Sequence, residues 1–322
     1  MRTGDLVQLR SPAEILATLD ADGCTDGLPF MPEMLAFFGR PARVTARVER
    51  ACDTLTWTGV RRLKNTVVLD DLRCDGAAHA GCRAGCRLFW REAWLRPAVE
   101  AAAGADEEPA EDPALVRLGE LTRGATTRSI DPAGAVFRCQ ATELLRASTP
   151  VAWWSPVSLL REVWCGNVGV GRFVRVMAGA VADQVRRRVL RRDPLKQRRP
   201  AVERGASAEG LAIGQRVRVR PREEIASTLD TNSKLRGLRF DFPEMSPHCG
   251  IEAPVIARVD RFIDENSGRM VELSTDAYIL DGCTCGGDHA GKRWFCPRAI
   301  HAWWREAWLE PLQDDRAEPA AR

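Results

Sequence analysis

The segments CDGAAHAGCRAGCRLFWREAWL (74–95) and CTCGGDHAGKRWFCPRAIHAWWREAWL (283–309) end in the same six letters, WREAWL. In both, a glycine-rich stretch with cysteines and a histidine precedes that phrase. Far upstream of each, GDLVQLRSPAEILATLD (4–20) aligns without a gap on GQRVRVRPREEIASTLD (214–230). Matches this long and in the same order indicate a tandem duplication, so the fold is expected to contain one module twice.

Each copy begins with an alternating apolar and polar run, LVQLR or RVRVR, which predicts a strand with one buried face. A short helix follows, and later runs such as ARVTARVER and AYILDG are again strand-like. We therefore predict a mainly β fold with a helical connector (α+β). Its two tandem small barrel modules are joined by a helical segment. The opening pattern G-x-x-V-x-V-R resembles the first strand of SH3-like β-barrels, including those of nitrile hydratase beta subunits.

Composition shifts along the chain predict five regions. The stretch after the first copy is acidic and rich in Ala and Pro, and the stretch before the second copy is helical and ends in many arginines. The regions are a first Cys-rich module (1–98), an acidic flexible linker (99–133), a helical connector with a basic run (134–205), a second Cys-rich module (206–315) and a tail (316–322).

Composition also limits the class of protein. Hydrophobic residues make up 45% of 322 residues and there are ten tryptophans, which excludes a globally disordered chain. The start of the sequence has no apolar core typical of a signal peptide, and no run of about 18 apolar residues predicts a membrane span. We expect a cytoplasmic protein, where eleven cysteines stay reduced and favour metal ligation over disulfides.

The first module concentrates Cys74, His79, Cys82 and Cys86 within thirteen residues, with Cys52 upstream. Thiolates bind soft or borderline metals, and glycines let several sulfur atoms converge without crowding. Two interpretations of the metal centre remain open. Cys52, Cys74, Cys82 and Cys86 would ligate an iron–sulfur cluster such as 4Fe–4S, whereas Cys74, His79, Cys82 and Cys86 would close a zinc site. The lack of C-x2-C knuckles favours iron–sulfur.

The second module has fewer evident ligands. Cys285 and Cys296 correspond to Cys74 and Cys82, while the counterpart of Cys52 is an isoleucine. Cys249 is a third ligand, and Cys139 or Cys283 completes this second predicted centre. His289 is a weaker alternative.

The repeated WREAWL allows two interpretations. Its tryptophans lie at helical spacing, which predicts a helix packed on each module. Alternatively, its arginine and tryptophans form an exposed binding strip. No phosphate-binding or hydrolase motif occurs, and four histidines with one tyrosine leave little acid–base machinery. Any enzymatic activity is therefore expected to depend on the metal.

With both modules in view, the sequence resembles a group of bacterial cysteine-rich tandem-repeat proteins. The shared elements are GLPFMPEM, LRCDGAAHAGCRAGCRLFWREAWL, FRCQATELLRAS and FCPRAI followed by WREAWL. Such proteins are typically encoded among polysaccharide or natural-product biosynthesis genes, so the resemblance implies a biosynthetic setting. One departure is Phe37-Phe38-Gly39, where the group often has YCG.

The expected function is an iron–sulfur protein with two cysteine-ligated centres, acting in redox or cluster-assisted chemistry. Its expected partner is a redox protein or a small-molecule biosynthetic intermediate. Nucleic acid is not expected, because the basic run is not interleaved with aromatic residues. The alternative is a zinc-stabilised, non-catalytic module that binds a protein or a carrier-bound intermediate.

Overall fold

In the computed structural model, residues 1–56, 59–98, 112–190, 210–288 and 292–312 are described. They form two compact units. Unit 1 comprises Met1–Gly179, Arg261–Val271 and Gly286–Ala299, and unit 2 comprises Ala180–Asp260, Glu272–Cys285 and Ile300–Arg322. Two segments of the second sequence copy thus belong to unit 1. Among the described residues, no helix combines the length and apolar character needed to cross a membrane.

Short strands dominate both copies. The first copy contains β1 (Leu6–Leu9), β2 (Cys24–Thr25), β3 (Leu28–Pro29), β4 (Ala42–Arg47), β5 (Ala51–Cys52), β6 (Val60–Arg62), β7 (Thr66–Leu69), β8 (Trp90–Arg91) and β9 (Leu95–Pro97). The middle of the chain adds β10 (Thr127–Asp131), β11 (Gly134–Phe137) and β12 (Thr149–Val151). The second copy contains β13 (Arg216–Val219), β14 (Lys234–Leu235), β15 (Leu238–Arg239), β16 (Glu252–Ile263), β17 (Met270–Thr284), β18 (His301–Trp304) and β19 (Leu309–Pro311).

The helices are few and mostly short. They are α1 (Pro12–Leu16), α2 (Pro113–Gly124), α3 (Pro156–Trp164), α4 (Val170–Leu190), α5 (Arg222–Ser227) and α6 (Phe242–Met245). Single 3₁₀ turns occur at Pro32–Phe37, Glu92–Trp94, Ser246–His248 and Glu306–Trp308. Helix α1 starts where the sequence pattern predicts: the Ser11 hydroxyl and the Glu14 carboxylate form a capping box.

The duplication is visible as two five-stranded antiparallel sheets of equivalent order. They run β8-β7-β4-β1-β9 in the first copy and β18-β17-β16-β13-β19 in the second. The predicted closed SH3-like barrels are wrong, because the described strands form these open sheets and several two- or three-stranded ones. The edge strands β8 and β9 are only two and three residues long, and each pairs with a single neighbour.

The repeated phrase WREAWL is not a helix. Each copy forms a strand, a 3₁₀ turn and a second strand. Trp94 and Trp308 are fully buried, and their indole nitrogens donate to the hydroxyls of Thr25 (2.9 Å) and Thr228 (3.0 Å). The spacing of the tryptophans correctly indicated that they are buried. It did not indicate a helix, because a 3₁₀ turn flanked by two short strands buries tryptophans at the same spacing.

The arginine of the phrase is also buried in both copies. Arg91 donates to the carbonyls of Thr25, Asp26 and Lys64; Thr25 ends β2 and Asp26 lies in the turn that follows. Arg305 likewise donates to the carbonyls of Leu235 and Arg236, in the turn between β14 and β15. These guanidinium groups therefore hold turns in place, and the alternative of an exposed binding strip is wrong.

Several predicted regions lie partly outside the described residues. Of the acidic linker, 99–111 is outside, while α2 and β10 occupy much of the remainder. Most of the basic run at 186–204, the tail and His289 are outside as well.

Candidate metal centre

The turn after β5 fixes the backbone around Cys52. Asp53, fully buried, accepts hydrogen bonds from the amides of Leu55 (3.0 Å) and Thr56 (2.7 Å) and from the Thr56 hydroxyl (2.6 Å). The guanidinium of Arg61 lies 3.6 Å from the same carboxylate. These hydrogen bonds to one buried carboxylate fix the conformation of the turn, so the position of Cys52 is fixed as well.

The segment Gly286–Ala299 brings Cys296 to Cys52 within unit 1. The amide of Cys52 donates to Cys296 Sγ at 3.0 Å, and both side chains are buried. The hydrogen bond with Cys296, helped by the charge of Arg298, lowers the pKa of Cys52 against the opposing effect of burial. The first sulfur pair thus joins residues from the two sequence copies.

Arg298 is the buried cation of this region. Its Nη1 donates to the carbonyl of Cys52 (3.2 Å) and to Thr54 Oγ1 (2.7 Å), and lies 3.9 Å from Cys52 Sγ. Its Nη2 donates to Glu265 Oε1 at 2.7 Å. Burial alone would lower the pKa of Arg298, but Glu265 and the neighbouring thiolates outweigh it and raise that pKa. A fixed positive charge therefore stands beside the sulfur atoms.

The glycine-rich loop supplies two further thiols to unit 1. The amide of Cys74 donates to the carbonyl of Cys86 (2.9 Å), which closes the loop. Gly76 has a φ of +72°, and a Cβ there would lie 2.0 Å from the carbonyl oxygen of Cys82. The Sγ of Cys82 accepts from the amide of Ile263 at 3.4 Å. Glycine thus allows the tight loop that the sequence predicted around these thiols.

Cys139 reaches the same region from the segment after β11. Its amide donates to Thr142 Oγ1 (2.9 Å), and the next residue, Gln140, donates to the carbonyls of Pro29 (3.1 Å) and Phe89 (2.8 Å). Burial raises the pKa of Cys139 to about 11. The two hydrogen bonds of the Gln140 side chain hold the FRCQ segment against the first module.

Five thiols share one electrostatic environment. Cys74 adjoins it, since burial and the charges of Glu33, Cys86 and Cys139 raise the pKa of Cys74. Burial raises the pKa of Cys86, and the charges of Glu265 and Cys139 raise it further. The charge of Cys82 raises the pKa of Cys139, while Arg298 is close enough to be affected by Cys52, Cys296 and Cys86. We call the residues linked by these effects the five-cysteine site: Cys52, Cys82, Cys86, Cys139 and Cys296.

Cys74 and His79 lie with a residue that the sequence analysis missed. Among the described residues, Glu33, Cys74 and His79 form the group whose three potential ligand atoms lie within 4.8 Å of one another. His79 Nδ1 is 2.6 Å from Glu33 Oε1. Burial would raise the pKa of Glu33, but the hydrogen bond and charge of His79 lower it overall. The repeated PEM in GLPFMPEM and GLRFDFPEM was the available signal for Glu33.

The cysteines predicted for a second centre are divided between the units. Cys296 and Cys139 belong to unit 1, while Cys249, Cys283 and Cys285 belong to unit 2. Cys283 is fully buried in the apolar core of unit 2, where burial raises its pKa to about 12, and Cys249 packs against the same core. The division arises because the chain from Gly286 to Ala299 folds with unit 1.

Arg298 and Glu265 also escaped the sequence analysis. Both lie in segments of the second copy that join unit 1, and an alignment of the two copies gives no sign of that exchange. No family model, curated protein or solved structure matches the chain.

Proposed function

We propose that the chain is an iron–sulfur protein whose cluster is held in unit 1 by four of the five convergent cysteines. The observation that carries this proposal is the electrostatic linkage of buried and half-buried thiols from four separate segments. Cys52, the pair Cys82 and Cys86, Cys139 and Cys296 are far apart in sequence. Cysteines are the usual ligands of 2Fe–2S and 4Fe–4S clusters.

Electrostatics support a bound metal at this place. Burial raises the pKa of Cys86 and Cys139, so these thiols stay protonated unless positive charge compensates them. A metal supplies that charge and deprotonates the thiols it binds. Arg298 supplies part of it already, next to Cys52 and Cys296.

Spacing favours a cluster over a single ion at these five cysteines. A tetrahedral zinc ion with bonds of about 2.3 Å needs its sulfur ligands about 3.8 Å apart. No three of the five Sγ atoms, all in described residues, lie within 4.8 Å of one another. A cluster spreads its thiolates further apart because iron and sulfide stand between them.

Backbone contacts also suit a cluster. The amides of Cys52 and Ile263 donate to the sulfur atoms of Cys296 and Cys82. Hydrogen bonds to cluster sulfurs and burial from solvent set the reduction potential. We infer a role in electron transfer or cluster-assisted chemistry in a biosynthetic pathway of the cytoplasm, with a redox protein or small-molecule intermediate as partner. Four thiols suffice for a cluster, and we include Cys296 among them because its Sγ accepts from the amide of Cys52.

The decisive experiment is metal and sulfide analysis of the full chain after anaerobic purification. The proposal expects brown protein with broad visible absorbance and stoichiometric iron and acid-labile sulfide. Colourless protein that contains zinc and no iron, even after anaerobic reconstitution with iron and sulfide, would overturn it. That result would support the second candidate, a zinc-stabilised, non-catalytic module for a protein or carrier-bound intermediate. The group of Glu33, Cys74 and His79 favours this candidate.

A further inference from the structure

Two buried side chains, Glu33 and His79, and the half-buried Cys74 form a group of their own in unit 1. Glu33 lies in the 3₁₀ turn Pro32–Phe37, whereas Cys74 and His79 lie in the glycine-rich loop. Their potential ligand atoms are all within 4.8 Å of one another. The side chains of His79 and Glu33 are only 1% and 3% exposed. Water therefore has little access to either of them.

The orientation of His79 is that of a metal ligand. Its Nε2 lies 3.0 Å from the backbone carbonyl of Arg138. A carbonyl only accepts, so Nε2 carries the proton and Nδ1 faces Glu33 Oε1. Histidines that bind metals almost always donate their other ring N–H to such a carbonyl or carboxylate, which fixes the ring and its tautomer.

Glu33 provides an independent sign of a missing partner. Its Oε1 contacts His79 and the amide of Ala78 (3.3 Å). Its Oε2 is buried and has no hydrogen-bond partner among the described residues. A buried carboxylate oxygen without a partner destabilises the folded state, so native structures seldom retain one without a reason.

We propose that Glu33, Cys74 and His79 bind one divalent transition-metal ion of the zinc class, separate from the five-cysteine site. Thiolate, imidazole and carboxylate are the ligands that zinc takes in proteins, and three protein ligands leave one coordination position open. Bonds of about 2.0–2.1 Å to Nδ1 and Oε1 require these atoms to move from 2.6 Å to about 3.3 Å apart. Binding releases two protons: the one shared by His79 and Glu33, and the thiol proton of Cys74.

Such an ion ties the 3₁₀ turn to the loop that carries Cys82 and Cys86. The loop is already closed by hydrogen bonds from the amide of His79 to the carbonyl of Gly76 (3.0 Å), and from the amide of Cys82 to the carbonyl of His79 (3.1 Å). Fixing His79 therefore fixes Cys82. The site's role is positional, and its existence does not depend on the identity of the centre at the five cysteines.

The test is a titration of metal-depleted full-length protein with Zn²⁺ against a chromophoric chelator, with the released protons followed in parallel. The proposal expects a tight equivalent that Glu33→Gln, His79→Gln and Cys74→Ser each weaken at least tenfold. Cys296→Ser is the matched control and should leave this equivalent unchanged. Zinc binding that is unaffected by Glu33→Gln and His79→Gln, or the absence of such an equivalent, would overturn the proposal.

Cadmium NMR of the unsubstituted chain tests the same site without any substitution, so it remains informative if the variants fail to fold. Bound ¹¹³Cd should give a resonance typical of one thiolate with nitrogen and oxygen ligands. A resonance typical only of several thiolates would overturn the proposal. Iron and zinc are measured separately. Iron content tests the cluster proposed at the cysteines that include Cys296, and zinc binding tests the site that includes Glu33. A negative result for iron therefore leaves the zinc result interpretable.

Discussion

The two sequence copies build the same sheet but different surroundings for their cysteines. In both sheets the strand order is equivalent, and a buried tryptophan of WREAWL donates to a threonine hydroxyl. Unit 1 holds Cys52, Cys86 and Cys296 near the charge of Arg298, whereas Cys283 of unit 2 lies in an apolar core. Duplication thus preserved packing, while the five-cysteine site lies in one unit that also takes Gly286–Ala299 from the second copy.

Replacing one cysteine in each unit tests this division most strongly. Cys296→Ser should lose the visible absorbance and most of the iron, because Cys296 contacts Cys52 in the five-thiol region. Cys249→Ser, a change of the same chemistry in unit 2, should keep both. Iron and sulfide per chain are the measurement. Equal iron loss in the two variants would show that the comparison between units is mistaken.

Removing the equivalent tryptophans measures how alike the two cores are. Trp94→Ala and Trp308→Ala should each destabilise their own unit by about 3–5 kcal/mol, because each side chain is fully buried. Hydrogen exchange followed by mass spectrometry reports on the units separately. Trp94→Ala should also reduce the iron content, whereas Trp308→Ala should spare it. Exchange that increases everywhere in both variants would instead indicate one cooperative structure.

Glu162 should give unit 1 a pH dependence of its own. Burial raises the pKa of this fully buried carboxyl from 4.5 to about 7. Because the folded pKa is the higher one, the folded state holds the proton more tightly between these values. Stability should then fall by about 3 kcal/mol as the pH rises from about 4.5 to about 7, with no further loss from this group above that.

Denaturant unfolding of the native chain and of Glu162→Gln at pH 5 and pH 7.5 measures this slope. The glutamine variant cannot ionise, so its unfolding free energy should change less between the two pH values. Glu33, whose pKa is lowered overall by His79 against the effect of burial, changes stability only below about pH 4.5, outside this range. If the unfolding free energy changed equally with pH in the two proteins, Glu162 would not be the cause of the pH dependence.

Alanine in place of two glycines compares a crowded loop position, Gly76, with an uncrowded position in β17, Gly282. Gly76→Ala should destabilise unit 1 by about 2 kcal/mol and reduce the metal content, because its Cβ would collide with the backbone of Cys82. Gly282 has a similar positive φ of +69° but nothing within 4 Å. Gly282→Ala should therefore cost only about 1 kcal/mol. Thermal unfolding and metal analysis of both variants are the readouts, and equal effects would argue against a tight loop at Gly76.

The smallest predicted difference concerns the first helix of each copy. Ser11 caps α1, whereas Pro221 makes no side-chain cap to α5. Ser11→Ala should lower the stability of unit 1 by about 1 kcal/mol, and Ser11→Asp should restore it. Chemical denaturation measures both. A loss with aspartate as large as that with alanine would show that the hydroxyl acts in some way other than capping.

The sequence by itself determined the duplication, the strands at the start of each copy, the capped helix α1 and the cysteine loop. These are local features: alternating burial, a Ser-Pro start and glycine spacing act over a few residues. The helix predicted from the sequence for WREAWL was wrong, because a helix and a strand followed by a 3₁₀ turn can place two tryptophans at the same spacing. It also predicted barrels, although the described strands form open sheets.

Only the tertiary structure decided which thiols meet. Cys52 and Cys296 are 244 positions apart, and no local pattern specifies that Gly286–Ala299 leaves its own copy for unit 1. The pairing depends on where long strands such as β16 and β17 carry the chain, and on a buried arginine that bonds to both Glu265 and Cys52. Long-range packing of this kind is a property of the whole chain, because each contact is formed only when the other elements are in place.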